Sequence, residues 1–145
     1  MKLLKPTLYV AQDDAGQSGR PALLGRSCTC GHVFFPPQDY GCEKCGSFGS
    51  ALAPRRLAGA GTLVSWATVH MHARAYPVAP FVVGKIALDD GPVVRALLRV
   101  PSEDGLHAGL PVQATLAAVG DAEGHVDLWF EPITQSRNEN VQASA

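Results

Sequence analysis

Residues 28–46 have the sequence CTCGHVFFPPQDYGCEKCG and contain all four cysteines of this 145-residue chain. The cysteines form two close pairs, Cys28 with Cys30 and Cys42 with Cys45, and a glycine follows each pair. A tetrahedral zinc site needs such an arrangement, because each thiol pair sits on a tight turn and the intervening loop folds the pairs together. The sequence therefore predicts a zinc ion bound by these four cysteines.

The two pairs differ in spacing, and this leaves alternatives open. Cys42-Glu43-Lys44-Cys45-Gly46 is a standard knuckle with two residues between the ligands, whereas only Thr29 separates Cys28 from Cys30. His32 is near enough to replace one thiol, and we rank it below the four-cysteine set. Four protein ligands leave no position open to activate water, so the zinc is predicted to be structural. Free or redox-active thiols are the competing interpretation, although the chain lacks the βαβ context of thioredoxin-type motifs.

The residues around the cysteines predict a small module that depends on its metal. This module is rich in Gly and Pro and has few apolar residues, and modules below about 40 residues usually need a metal or disulfides to fold. The composition changes at Gly59, where β-type sequence begins. We expect four regions: an N-terminal extension at 1–19, a zinc ribbon at 20–58, a barrel at 59–132 and a flexible tail at 133–145.

The second half of the chain predicts five β-strands. Asp89-Asp90-Gly91-Pro92 is a strong turn signal between two of them and indicates a hairpin. Five strands with a long link between the third and fourth are typical of the oligonucleotide/oligosaccharide-binding (OB) fold, a Greek-key barrel. The expected strands are Gly61–Val69, Phe81–Leu88, Val93–Val100, Val112–Val119 and Val126–Phe130.

Composition excludes several classes of protein. Hydrophobic residues make up 46% and charged residues 17% of the chain, and the formal net charge is −1 with a pI near 6.5. Bulk charge therefore attracts neither nucleic acid nor an anionic membrane. No apolar run approaches the ~20 residues of a membrane-spanning helix, and the N-terminus lacks the features of a signal peptide. We expect a cytoplasmic protein.

The order of the motifs resembles a known family. The ribbon motifs are Cys28-Thr29-Cys30-Gly31, Phe34-Phe35-Pro36-Pro37 and Cys42-Glu43-Lys44-Cys45-Gly46-Ser47, and the barrel motifs are Gly61-Thr62-Leu63-Val64, Pro80-Phe81-Val82-Val83 and Ile86-Ala87-Leu88-Asp89-Asp90-Gly91. Together they resemble the rubredoxin-like zinc-ribbon plus OB-fold family filed as domain of unknown function thirty-five. The resemblance covers roughly residues 20–132.

The resemblance implies a role beside enzymes of CoA thioesters. Members of this family are small subunits or fused domains that accompany thiolase-superfamily proteins, including steroid side-chain retro-aldolases and thiolases of aromatic-compound degradation. It therefore implies a thiolase-like catalytic partner, with a CoA thioester bound near the interface. The residues agree with catalysis by a separate partner, because every cysteine is predicted to bind metal and none remains as the nucleophile of a thiolase. Turnover by this chain alone is not expected.

Two further groups of residues are candidates for contacts. His70, His72, Arg74 and Tyr76 lie in the link between the first two barrel strands, which in OB folds often contacts ligands, so this loop is predicted to face a partner or substrate. Arg55 and Arg56 match the phosphate groups of CoA, because the guanidinium fork fits phosphate oxygens. Ordinary surface roles are the alternative for both groups.

Two other functions stay open. One is a stand-alone acyl-CoA-binding or regulatory OB protein. The other is a module for single-stranded nucleic acid, which the balance of 12 Lys and Arg against 13 Asp and Glu disfavours.

Overall fold

The computed structural model of the chain describes residues 2–12 and 20–133, and its secondary structure is mainly β, as predicted. Its one helical element is a 3₁₀ turn at Gly49–Ala51, so this part of the chain has no helix that could cross a membrane. The ten strands are β1 (Lys2–Leu3), β2 (Tyr9–Val10), β3 (Ala22–Cys28), β4 (Val33–Phe34), β5 (Leu52–Leu57), β6 (Ala60–Val69), β7 (Phe81–Leu88), β8 (Val93–Leu98), β9 (Pro111–Ala118) and β10 (His125–Pro132).

Strands β6 to β10 close into a five-stranded barrel. β6, β7 and β8 form an antiparallel meander, β8 lies parallel to β10, and β10 is antiparallel to β9. β9 completes the ring by pairing with the start of β6, through residues 111–113 and 60–62. This closed Greek-key order is that of an OB fold and confirms the predicted fold class.

The expected hairpin forms between β7 and β8. Gly91 takes a φ of +116° in the turn, a conformation that side chains other than glycine rarely adopt. β8 ends at Leu98, two residues earlier than the alternation of the sequence indicates. The reason is a change of partner: the Arg99 N–H donates to the carbonyl of Phe130 at 2.7 Å, so the chain leaves β7 for β10.

The barrel and the ribbon share one apolar core. Leu63, Ile86 and Phe130 are at most 1% exposed inside the barrel, and Leu23 and Leu57 from the ribbon strands belong to the same cluster. Burying each such side chain contributes about 1.5–3 kcal/mol relative to leaving it in water. The two parts of the chain are therefore joined by packing at the end of the ribbon away from the cysteines.

The ribbon sheet is built on β3. The whole of β5 pairs with β3, from Leu23 opposite Leu57 to Cys28 opposite Leu52, and β4 pairs with the other edge of β3. A second, small cluster of Cys28, Phe34, Cys42 and Leu52 lies at the cysteine end. This end has little apolar material of its own.

The N-terminal residues contribute strands that the sequence did not suggest. β1 pairs in parallel with β10 of the barrel, and β2 pairs with β3 of the ribbon. Residues 2–10 thus contact both sheets. Residues 13–19 of the predicted N-terminal extension and residues 134–145 of the predicted tail lie outside the described residues.

Candidate metal centre

The four cysteine sulfurs lie together, all within 4.8 Å of one another. Cys28 Sγ is 3.6 Å from Cys45 Sγ, and Cys30 Sγ is 3.7 Å from Cys42 Sγ. A tetrahedron with zinc–sulfur bonds of about 2.3 Å has edges of about 3.8 Å, which matches these distances. A disulfide bond is about 2.05 Å long, so the thiols are not paired covalently.

Two tight turns hold the sulfurs in this arrangement. Gly31 and Gly46 both take positive φ, +99° and +80°, and each follows a cysteine pair. The Gly46 N–H donates to the Cys42 carbonyl at 2.9 Å, and the Gly31 N–H donates to the Cys28 carbonyl at 2.8 Å. The one-residue spacing of the first pair therefore still brings both thiols to the cluster.

Hydrogen bonds favour the thiolate form of two cysteines. The Ser47 hydroxyl and backbone lower the pKa of Cys45 to about 6. The backbone N–H groups of Cys45 and Lys44 lie 3.5 and 3.4 Å from Cys42 Sγ and lower the pKa of Cys42. At Cys30 the His32 backbone lowers the pKa, but desolvation and the neighbouring thiols outweigh it and raise the pKa to about 11. Thiolate is the form that binds metal.

The donor set suits zinc in a closed, structural site. Four sulfur ligands at tetrahedral spacing leave no coordination position for water. His32 lies outside the group of thiols: its Nε2 is 3.3 Å from a carboxylate oxygen of Glu43, and its ring stacks on Phe34 with centroids 5.8 Å apart. The residues present therefore fit a bound zinc ion with four sulfur ligands.

The loop between β6 and β7 carries the next group of predicted residues. His70, His72 and Arg74 are exposed, and His72 Nε2 lies 3.3 Å from the Tyr76 carbonyl. Tyr76 is half-buried, and its hydroxyl is held inside the protein rather than presented to solvent. Met71 and Val78 of the same loop are 89% and 77% exposed. The loop thus exposes two apolar side chains beside its basic ones.

A buried carboxylate that the sequence analysis missed anchors this loop. Asp127 in β10 is 4% exposed and accepts hydrogen bonds from the hydroxyls of Tyr9, at 2.7 Å, and Tyr76, at 2.9 Å. The Leu128 N–H donates to it at 2.8 Å, and the Trp129 ring N–H donates to the Tyr76 oxygen at 3.2 Å. The only signal in the sequence is one acidic residue within an apolar strand, two positions before a tryptophan.

The two arginines predicted to contact phosphate lie on β5, facing solvent. Arg55 is 3.4 Å from Asp90, in the turn between β7 and β8, so its charge is partly neutralised. Arg55 and Arg56 line a surface groove of about 420 Å³ together with Arg26, whose guanidinium pairs with Asp39. The groove is basic in composition, but Arg26 and Arg55 pair with the acidic residues Asp39 and Asp90.

Residues 54–117 match the family described as "ChsH2, C-terminal OB-fold domain". A solved structure described as the "Ltp2-ChsH2(DUF35) aldolase" is similar over 77% of this chain and 84% of that chain, with 26% identity and a TM-score of 0.63. No curated protein matches.

A second solved structure is a DUF35-family protein of unknown function from Sulfolobus solfataricus. It covers 74% of this chain and 75% of its own, with 16% identity and a TM-score of 0.45. DUF35 is the domain of unknown function thirty-five, so the family match and the aldolase structure confirm the resemblance drawn from the motifs.

Proposed function

We propose that this chain, whose barrel matches the ChsH2 C-terminal OB-fold domain, is a zinc-binding, non-catalytic accessory subunit of a thiolase-superfamily enzyme acting on CoA thioesters. The observation that carries the proposal is the similarity to the Ltp2–ChsH2(DUF35) aldolase over most of both chains. Among the reactions open to such a partner, namely thiolysis, acyl transfer and retro-aldol cleavage, that aldolase favours the last. The location we propose is the cytoplasm.

The chemistry of the chain supports a non-catalytic role. All four cysteines lie in one cluster, so none is left to form an acyl-enzyme intermediate. A four-thiolate zinc ion has no open position for substrate or water. The bound zinc would therefore stabilise the ribbon, and the reacting groups would come from the partner.

The β6–β7 loop is the surface that we propose for the partner. Met71 and Val78 are exposed apolar side chains, and methionine is among the residues enriched where two proteins meet. His70, His72 and Arg74 of the same loop are also exposed and would contact the polar rim of the interface. Tyr76 would act indirectly, because its hydroxyl fixes the loop to Asp127.

The proposed contact of Arg55 and Arg56 with CoA phosphates is supported by the basic groove that they line. It requires the phosphate to compete with Asp90 for Arg55. The groove is open to solvent, so such a contact would supply orientation rather than most of the affinity.

Co-expression of this chain with a thiolase-like protein encoded by a nearby gene tests the proposal. We expect a stable complex on size-exclusion chromatography and acyl-CoA cleavage that is lost without this chain. Full activity of the partner alone, with no complex, would overturn the proposal. Met71→Glu with Val78→Glu should abolish the complex, whereas the matched change Val93→Glu, at an exposed apolar residue of the β7–β8 hairpin, should not.

A further inference from the structure

A small apolar cavity lies where the barrel opens between β8 and β10. These strands pair at Leu98 and Phe130, and no further pairing joins them in the described part of the chain. Val94 and Leu128 line the gap from the barrel, while Leu8 and Phe35 line it from the N-terminal segment and the ribbon. The cavity has a volume of about 160 Å³.

The size and lining of this cavity suit one ring or a short hydrocarbon chain. An engineered cavity of about 150 Å³ lined by Leu, Ile and Phe in another protein stays dry and binds benzene. The cavity here has a similar volume, but it opens to solvent, and Lys5, Tyr9, Arg95 and Asp127 join the apolar residues in its lining. The apolar part of the lining favours an apolar group there over water.

Two cations at the cavity indicate that the ligand also carries a negatively charged group. Lys5 and Arg95 line it, both are exposed to solvent, and neither forms an ion pair with an acidic residue in the described ranges. Arg95 also stands directly opposite Lys85 on β7, and like charges in facing positions destabilise a sheet. An anion bound beside Arg95 would relieve this repulsion.

One acidic residue, Asp127, also lines the cavity, and its hydrogen bonds weaken its repulsion of a bound anion. Its two oxygens accept from the hydroxyls of Tyr9 and Tyr76 and from the Leu128 N–H. The charged part of the lining thus contains one engaged carboxylate and two cations that have no carboxylate partner within the described ranges. The balance favours an acid over an amine.

We propose that this cavity is a binding site for a small apolar carboxylic acid, with its ring or chain between β8 and β10 and its carboxylate beside Lys5 and Arg95. The site joins the barrel to the N-terminal segment, so a bound acid would hold these parts together. It is present in the isolated chain and does not depend on the proposed partner.

Titration of the zinc-loaded, full-length chain with benzoate, followed by amide NMR shifts, tests the site. We expect saturable shifts at Ala96 and Leu128, weaker binding of benzyl alcohol, which has the ring without the charge, and no saturation with acetate, which has the charge without the ring. The absence of saturable benzoate shifts, or equal binding of benzoate and acetate, would overturn the proposal.

Charge variants locate the carboxylate. Lys5→Gln with Arg95→Gln should weaken benzoate binding about tenfold, because two exposed ion pairs are lost. Lys85→Gln is the matched control, since Lys85 faces Arg95 but does not line the cavity. The benzoate affinity of this variant should stay within about twofold of that of the unchanged chain.

A third variant, Ala96→Leu, should fill the cavity and exclude both benzoate and benzyl alcohol. If that variant does not fold, the charge variants decide alone: equal effects of Lys85→Gln and of the Lys5→Gln, Arg95→Gln double variant would contradict the site.

Discussion

Asp127 is the one polar or charged residue that the described part of the chain buries. Each of its oxygens has a tyrosine partner, one from the N-terminal strand β2 and one from the β6–β7 loop. A buried carboxylate without such partners would be costly, because its lost hydration would not be replaced. The network therefore stabilises β10 and also fixes two segments that are distant in sequence.

Replacing Tyr76 by Phe should lower the free energy of unfolding by about 1–3 kcal/mol, because one buried oxygen of Asp127 loses its partner. Urea denaturation of the zinc-loaded protein measures this change. Tyr40→Phe is the matched control, since Tyr40 is 93% exposed and its loss should cost less than about 0.5 kcal/mol. Equal effects of the two substitutions would show that the Asp127 network contributes nothing.

The same network predicts a loss of stability at high pH. Burial, followed by the hydrogen bond and the charge of Asp127, raises the pKa of Tyr9 and of Tyr76 well above the ordinary 10.0. The folded state then binds these protons more tightly than the unfolded state, so the free energy of unfolding should fall as pH rises above about 10. Urea midpoints measured from about pH 8 to 11 should fall less steeply in the Tyr9→Phe, Tyr76→Phe double variant. Parallel curves would contradict this assignment.

At the scale of elements, the ribbon depends on two different sources of stability. The ends of β3 and β5 at Leu23 and Leu57 pack into the barrel core. The opposite end has the small cluster around Cys28 and Cys42, together with the thiols themselves. We therefore expect a bound metal ion to stabilise the cysteine end more than the barrel end.

Removal of zinc by a chelator should unfold the cysteine end of the ribbon while the barrel stays folded. Hydrogen exchange followed by NMR should show fast exchange at Cys28 and Leu52 and continued protection at Leu63 and Ile86. Cys30→Ser should lower the zinc content from about one ion per chain toward none, and the neighbouring change Thr29→Ser should leave it unaltered. A chain that remains fully protected after verified metal loss would contradict the structural role.

Across the whole molecule, one carboxylate ties the ribbon to the barrel beyond their shared core. Asp90 in the β7–β8 turn accepts a hydrogen bond from the Ala58 N–H at 2.7 Å, at the junction that follows β5. It also pairs with Arg55 of β5. The barrel hairpin and the last ribbon strand are thereby held in one orientation.

Asp90→Ala should therefore destabilise the protein by about 1–3 kcal/mol, because the partly buried Ala58 N–H loses its acceptor. Asp89→Ala is the matched control, since Asp89 is the exposed neighbour in the same turn. Thermal unfolding of both zinc-loaded variants measures the difference. If Asp89→Ala proves equally destabilising, the tie between the two parts is not formed through Asp90.

Local patterns in the sequence were sufficient for the ribbon and the barrel. The spacing of the cysteines and glycines predicted a cluster of four thiols, because turn geometry depends on residues that are adjacent in the chain. Runs of β-type composition between turn signals predicted the five barrel strands, and alternation of apolar residues supported the third, because side chains alternate between the two faces of a strand. Every predicted end lies within two residues of the observed one; β8 ends two residues early because its change of partner leaves no mark on the alternation.

The Asp127 network, the two N-terminal strands and the apolar cavity appeared only in the tertiary structure. Tyr9 and Tyr76 are 118 and 51 residues away from Asp127, and β1 pairs with β10 from the opposite end of the described chain. Contacts over such separations depend on how the barrel closes and where the ribbon packs against it. They have no period along the chain, so composition and spacing carry no signal for them.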